Sequence, residues 1–151
     1  MSHLTHHKLN YSISTDPHKL DIEIIHRYLA EQSYWAAGIP RILLQKAIEN
    51  SLCFGVYEGE QQVGFARVVT DRATFAYLCD VFILELHRGR GLSTWLMECI
   101  MADPELQGLR RFVLVTRDVH GLYQRYGFEP LANPASFMQI HVVDPYRKQA
   151  I

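Results

Sequence analysis

Two glycines mark the point where an apolar run gives way to a helical pattern in the stretch ILELHRGRGLSTWLMECI, residues 83–100. Gly89 and Gly91 alternate with Arg88 and Arg90 directly before the helical pattern begins. The first turn of a helix carries unpaired backbone N–H groups and partial positive charge, so the absence of a side chain there lets a phosphate approach the backbone. Binding of a phosphorylated ligand is the chemistry that this spacing favours.

The two glycines could form an anion site, or they could only form a bulge and the start of a helix. The residues that follow the loop favour the anion site. Ser93 and Thr94 fall in the first helical turn, where hydroxyl and N–H groups can both face an anion. The pattern does not match the dinucleotide fingerprint G-x-G-x-x-G, because Thr94 occupies the last glycine position, and it lacks the G-K-[ST] ending of a P-loop. The sequence therefore predicts a phosphate ligand other than NAD or ATP.

A second motif lies about thirty residues further on. The stretch LYQRYGF, residues 122–128, follows the apolar strand pattern RRFVLVTR at 110–117. Together, HRGRGLSTWL and LYQRYGF resemble the two signature motifs of the GCN5-related N-acetyltransferase (GNAT) superfamily, in the expected order and separation. The family pattern R/Q-x-x-G-x-G/A corresponds to residues 88–93, and the resemblance extends from about residue 8 to residue 143.

The resemblance implies that acetyl-CoA binds with its pantetheine arm between two splayed parallel strands, residues 76–84 and 110–117. The pyrophosphate would bind at residues 90–94, and the main chain of residues 81–83 would bond the pantetheine. Two residues depart from the family: Ser93 replaces the usual glycine or alanine, and Thr116 lies near a position that is often asparagine. The residues implied in acetyl-CoA binding are Val81, Phe82, Ile83, Arg88, Gly89, Arg90, Gly91, Leu92, Ser93, Thr94, Thr116 and Tyr123; no metal is expected.

The implied reaction is direct transfer of the acetyl group to a primary amine of a small molecule or peptide, in a ternary complex. Tyr123 stands four residues before Gly127, as in family members that use a tyrosine as general acid. Asp80 interrupts an apolar strand and is the candidate base, with ammonium binding or pairing with a neighbouring arginine left open. Glu85 or a chain of bound water molecules are the other candidate proton acceptors.

The acceptor pocket is implied to lie at the first two helices, their connection and the C-terminal strands. Tyr34, Trp35, Asp80 and Phe137 are the candidate substrate-binding residues, although aromatic side chains at these positions could equally fill the core. Two other functions remain open from the sequence. One is a non-catalytic acyl-CoA-binding regulatory module, and the other is an acetyltransferase that acts on aminoacyl-tRNA, which should carry a basic face.

The elements that position these residues follow from hydrophobic periodicity and turn signals. We expect a strand over 10–15, helices over 16–32 and 41–50, and an antiparallel meander over 51–58, 62–71 and 73–86. A helix to about Ala102, a strand at 110–117, a helix at 118–127 and two C-terminal strands at 128–132 and 136–143 complete the chain. The fold class is α+β: a GNAT fold with a mixed sheet of about six to seven strands and about four helices.

Length, composition and charge limit the number of domains, the classes of partner and the cellular location that we expect. With 151 residues and 48% hydrophobic residues, the chain is expected to form one domain over residues 1–151, with a flexible tail at residues 1–7. The net charge of −1 gives no general attraction for nucleic acid or an anionic membrane, so neither is an expected partner. Three unpaired cysteines and no signal core favour a cytoplasmic location. A homodimer is left open.

Overall fold

The computed structural model describes residues 3–146 of the chain. Four helices and six strands follow one another in this part, with one-turn 3-10 helices in several connections. In chain order they are β1 (Thr5–Lys8), β2 (Tyr11–Ser14), α1 (Ile22–Glu31), α2 (Arg41–Glu49), β3 (Leu52–Glu58), β4 (Gln61–Thr70), β5 (Phe75–Ile83), α3 (Leu92–Ala102), β6 (Arg111–Leu114) and α4 (His120–Gln124).

The strands form one sheet in the order β1-β2-β3-β4-β5-β6. Each pair from β1 to β5 is antiparallel, whereas β5 and β6 run parallel. A parallel pair needs a crossover connection, and α3 supplies it between β5 and β6. The expected antiparallel meander over β3, β4 and β5 and the mixed α+β sheet are both confirmed.

Apolar side chains cover both faces of the sheet. On one face, α3 packs Leu96, Met97 and Ile100 into a cluster with buried strand residues. On the other face, Ile25 and Leu29 of α1 pack in a second cluster with α2 and with side chains from β4 and β5. The central strands are therefore buried on both sides, which explains their nearly continuous apolar sequences.

Helix α1 begins later than the sequence pattern indicates. Asp16 and the following proline cap a separate one-turn 3-10 helix, and Leu20 then adopts an extended conformation. The α-helix starts at Ile22, where the Asp21 carboxylate accepts hydrogen bonds from the N–H groups of Glu23 and Ile24. Two capping aspartates in series divide what the apolar spacing suggested was one helix.

The N-terminal segment is a strand where a flexible tail was expected. Residues 5–8 pair with β2, and the N–H of Leu4 donates to the Thr15 hydroxyl over 2.9 Å. All four side chains of β1 are exposed, so this edge strand has no apolar alternation that a sequence pattern could reveal. Residues 1 and 2 of the expected tail lie outside the described residues.

The two expected C-terminal strands are wrong for the part of the chain that the structure describes. Residues 115–146 contain no strand, and Met138 and Ile140 are 94% and 101% exposed. Pro130 and Pro134 lack the N–H donor that a sheet ladder requires. The alternating apolar sequence at 136–143 forms no pairing with the sheet, and the chain packs against the second apolar cluster at Tyr146.

Candidate active site

The parallel strands β5 and β6, at one edge of the sheet, separate part-way along β5. Their pairing runs from Phe75 and Arg111 to Leu78 and Leu114, and β5 then continues to Ile83 without β6 beside it. The backbone of residues 79–83 therefore has an open edge. The predicted splayed pair is present, although β6 is shorter than the expected 110–117.

A β-bulge lies at the point of separation. Phe65 pairs with Phe82 and Arg67 with Cys79, so the single β4 residue between them opposes two residues of β5. Asp80 is one of these two and adopts a φ of +54°, a left-handed conformation that is uncommon for residues other than glycine. Bulges bend a strand and redirect its side chains, and this one lies where the open edge begins.

The Asp80 carboxylate is buried and binds two side chains. Its Oδ2 accepts a hydrogen bond from Arg67 Nε over 2.7 Å, and its Oδ1 accepts one from Trp35 Nε1 over 2.8 Å. Arg67 Nη1 also donates to the Ser51 hydroxyl over 3.1 Å. Pairing with an arginine was one of the roles that the sequence left open for Asp80, and Arg67 is that arginine.

The connection between α1 and α2 lies across the gap between the strands. Trp35, which donates to Asp80, packs edge-on against Tyr34 with ring centroids 5.0 Å apart. The Arg117 guanidinium carbon lies 3.4 Å from the centroid of the Tyr34 ring. Contacts from β5 through this connection to the segment after β6 thus bring Tyr34, Trp35 and Asp80 together.

Tyr123 of α4 lies on the β6 side of the gap. It is 8% exposed, and its ring packs edge-on against Phe128 with centroids 6.1 Å apart. Burial, with a smaller contribution from Tyr34, raises the pKa of the Tyr123 hydroxyl above its ordinary value. Tyr123 and Thr116 line a cavity of about 310 Å³ between β6, α4 and residues 128–131.

The glycine loop gives α3 an accessible N-terminus. Gly89 and Gly91 have φ values of +78° and +77°, and a Cβ at either position would meet no atom within 4 Å. Gly91 is the N-cap residue, and among residues 3–146 no side chain caps the first turn. The N–H groups at the start of α3 therefore lack a side-chain cap, which is the arrangement that suits an oxyanion.

Residues 49–130 match the family model described as "Acetyltransferase (GNAT) domain". The chain belongs to the GNAT family of acetyltransferases. A Gibberella zeae protein named as an acetyltransferase is 35% identical, and the match covers 76% of this chain and 76% of that protein.

Two solved structures resemble this chain. A protein from Xanthomonas campestris pv. campestris, described as belonging to the GNAT family, is 55% identical and has a TM-score of 0.89. The match covers 91% of this chain and 96% of that chain. A GNAT acetyltransferase from Elizabethkingia anophelis with acetyl-CoA bound shares the fold at 16% identity and a TM-score of 0.60, over 81% of this chain and 78% of that one.

The two arginines of the GNAT glycine motif bind protein groups. Arg88 donates to the Ile83 carbonyl over 2.8 Å and to the Tyr28 hydroxyl over 3.1 Å. Arg90 donates to the hydroxyl of Tyr11. The tyrosines were not found from the sequence, because no motif links them to the loop, and the α3 N-terminus is built mainly from backbone N–H groups.

Phe137 lies apart from the other candidate substrate-binding residues. The Arg111 guanidinium carbon is 4.7 Å from the centroid of the Phe137 ring, which places Phe137 beside the first residue of β6, where its pairing with β5 begins. Tyr34, Trp35 and Asp80 lie at the other end, where the strands separate. Within residues 3–146, no helix combines the length and apolar character needed to cross a membrane.

Proposed function

We propose that this acetyltransferase moves the acetyl group of acetyl-CoA directly to the primary amine of a small molecule or peptide, in a ternary complex. The observation that carries the proposal is the meeting of two backbone features: the open edge of β5 at residues 79–83 and the uncapped N-terminus of α3 at Gly91. The first offers hydrogen-bonding groups to an extended amide-containing arm, and the second offers N–H groups to a phosphate.

The residues present fit acetyl-CoA on chemical grounds. The N–H groups of residues 90–94 would hold the pyrophosphate, and Gly89 and Gly91 leave the space around them unfilled. Main-chain groups of Val81, Phe82 and Ile83 would bond the pantetheine arm, with Thr116 on the opposite side of the gap. When bound, acetyl-CoA supplies an acetyl group activated as a thioester.

Tyr123 is the proposed general acid. Because burial raises its pKa, its hydroxyl keeps the proton throughout the neutral range and can donate it. Tyr123 lines the cavity beside β6, whereas Asp80 lies in the bulge of β5, so we expect the two groups to reach the bound substrates from different strands. A proton donor for the leaving thiolate and a proton acceptor for the amine are the two groups that assist acyl transfer to an amine.

Asp80 is the proposed carboxylate of the pocket for the acceptor amine. It would act either as the base or as the group that binds the substrate ammonium. Its two oxygens each accept one hydrogen bond, and a carboxylate has about four lone-pair positions, so it can accept a further donor. Tyr34 and Trp35 would form the wall of the acceptor pocket beside it. Glu85 and bound water are the alternatives for the base.

The deciding experiment measures binding and transfer separately. Calorimetry with acetyl-CoA and with CoA tests the cofactor site, and turnover against a panel of primary amines, with mass measurement of each product, tests transfer. Acetyl-CoA binding together with an acetylated amine product is the expected result. Binding without transfer to any amine would instead support a regulatory acyl-CoA-binding module.

A further inference from the structure

Arg117 follows β6 and lies against Tyr34, which together with Trp35 forms the proposed aromatic wall of the acceptor pocket. The 3.4 Å distance from its guanidinium carbon to the Tyr34 ring centroid means that the planar cation stacks on the ring face. Stacking occupies the face of the guanidinium and leaves the N–H donors on its edge available. In the part of the chain that the structure describes, Arg117 makes this ring contact but no hydrogen bond or ion pair.

The charge of Asp80 is already matched by a cation. Arg67 lies 2.7 Å from the carboxylate, and the two side chains are 18% and 8% exposed. A buried pair with this geometry is close to neutral as seen from the pocket. Asp118 follows Arg117 in the chain, but no ion pair joins them among the described residues. Within residues 3–146, Arg117 is therefore a cation beside the acceptor pocket that forms no ion pair.

A series of contacts joins the two charged groups. Asp80 accepts from the Trp35 indole, Trp35 packs on Tyr34, and Tyr34 lies under Arg117. The carboxylate and the guanidinium are thus held at the two ends of one aromatic wall. A substrate on this wall would meet an acceptor for an ammonium at one end and donors for an oxyanion at the other.

We infer that Arg117 binds an oxyanion of the acceptor, so that the preferred substrate is a primary amine that also carries a carboxylate or a phosphate ester. The inference rests on the proposed amine acetyltransferase activity and adds the substrate class. Guanidinium groups match carboxylate and phosphate geometry with paired N–H donors, and the stack on Tyr34 fixes the plane of those donors before substrate binds.

The experiment compares matched acceptors with the wild-type chain and two variants. L-phenylalanine against L-phenylalaninamide tests the carboxylate, and O-phosphoethanolamine against ethanolamine tests the phosphate ester. For at least one pair we expect the member with the carboxylate or phosphate ester to have a kcat/KM about tenfold higher or more in the wild type. Arg117→Gln should remove that preference through KM, while Arg117→Lys, which keeps the charge but not the paired donors, should retain part of it.

Two outcomes overturn the inference. One is a wild-type chain that uses the member without an oxyanion equally well or better in both pairs, and the other is a preference for the oxyanion that Arg117→Gln leaves unchanged. The affinity for acetyl-CoA, measured by calorimetry on the same samples, should be the same in all three chains. A wild-type chain that does not bind acetyl-CoA would contradict the proposed function itself. A wild-type chain that binds acetyl-CoA but shows no preference for the oxyanion contradicts the inference alone.

Discussion

Arg67 Nε lies 2.7 Å from Asp80 Oδ2, and the same carboxylate holds the Trp35 indole through its other oxygen. Burial, the largest single effect, lowers the pKa of Arg67, but Asp80, Cys79 and Cys53 together raise it overall. One carboxylate therefore joins β4, the bulge of β5 and the α1–α2 connection. Its removal should affect both stability and the acceptor side of the site.

The first prediction concerns that pair. Asp80→Asn leaves the Arg67 guanidinium largely buried without a counter-charge, so we expect a loss of about 3 kcal/mol in the free energy of unfolding. Replacing both residues, as Asp80→Asn with Arg67→Met, should restore part of that loss. Urea unfolding of the single and double variants measures both values; a double variant as unstable as the sum of the two single variants would show that the pair is not coupled.

The same substitution separates the two proposed roles of Asp80. As the base, it should give an acidic limb in the rate–pH profile that disappears in Asp80→Asn together with a large fall in kcat. As an ammonium-binding group, its loss should mainly raise KM for the amine. A variant that retains the wild-type profile, kcat and KM would exclude both roles.

The second prediction tests the glycine loop. Gly91→Glu puts a negative charge at the N-terminus of α3, so we expect the affinity for CoA to fall about tenfold or more in a folded protein. Gly108→Glu is the matched control, because Gly108 has a φ of +71°, a Cβ there would meet no atom within 4 Å, and the residue follows the other end of α3. Calorimetry should show wild-type CoA affinity for the control; equal affinities in both variants would contradict a phosphate site at Gly91.

The third prediction concerns the cysteines. Burial raises the pKa of Cys53 and Cys79 to about 12 and that of Cys99 to about 11, against an ordinary value of 9.0. The folded state therefore holds these thiol protons more tightly than the unfolded state, so stability is complete below pH 9.0 and decreases as pH rises towards about 12.

Alkylation and unfolding measurements check this pH dependence. At about pH 8 the folded protein should react slowly with iodoacetamide, and all three thiols should react once urea unfolds it. Mass spectrometry counts the adducts. Rapid modification of Cys53 in the folded protein, or a urea midpoint that does not fall between neutral pH and pH 9.0–12, would contradict the buried, protonated state.

The main elements could be predicted because the apolar pattern and the turn residues of each segment agree with the structure that the segment adopts. Three apolar runs separated by short turns indicated the β3–β5 meander, and an aspartate inside the third run indicated that some group must compensate for it. Arg67 on the neighbouring strand is that group, because the register places it opposite Cys79, next to Asp80. A buried acid in a strand is thus a signal for a cation on the adjacent strand.

The contacts that complete the site could not be predicted from spacing. Arg88 meets Tyr28, and Arg117 meets Tyr34, only because the α1 region and its connection to α2 fold over the sheet edge. Each pair joins distant parts of the chain, and neither residue of a pair belongs to a periodic pattern with the other. The exposed edge strand at residues 5–8 was missed for a related reason, since backbone pairing alone defines it.

The fourth prediction concerns Tyr57, a buried residue of β3 that lies away from the proposed machinery. Its side chain is 4% exposed, and among the described residues its hydroxyl has no hydrogen-bond partner. Tyr57→Phe removes an unsatisfied buried hydroxyl and keeps the ring, so the free energy of unfolding should rise by about 1 kcal/mol. A urea midpoint below that of the wild type would show that the hydroxyl does have a partner, such as an ordered water molecule.

The last prediction tests Tyr123 as the general acid. Tyr123→Phe keeps the ring that packs against Phe128 and deletes the buried hydroxyl, so stability and CoA affinity should stay near their wild-type values. If the hydroxyl donates a proton in the transition state, kcat should fall about 10²-fold or more. Tyr57→Phe is the matched control, since it makes the same chemical change in another buried tyrosine and should leave kcat unchanged. Equal kcat values for the two variants, measured where the chemical step limits the rate, would mean that Tyr123 serves packing and that the leaving thiolate departs without its proton.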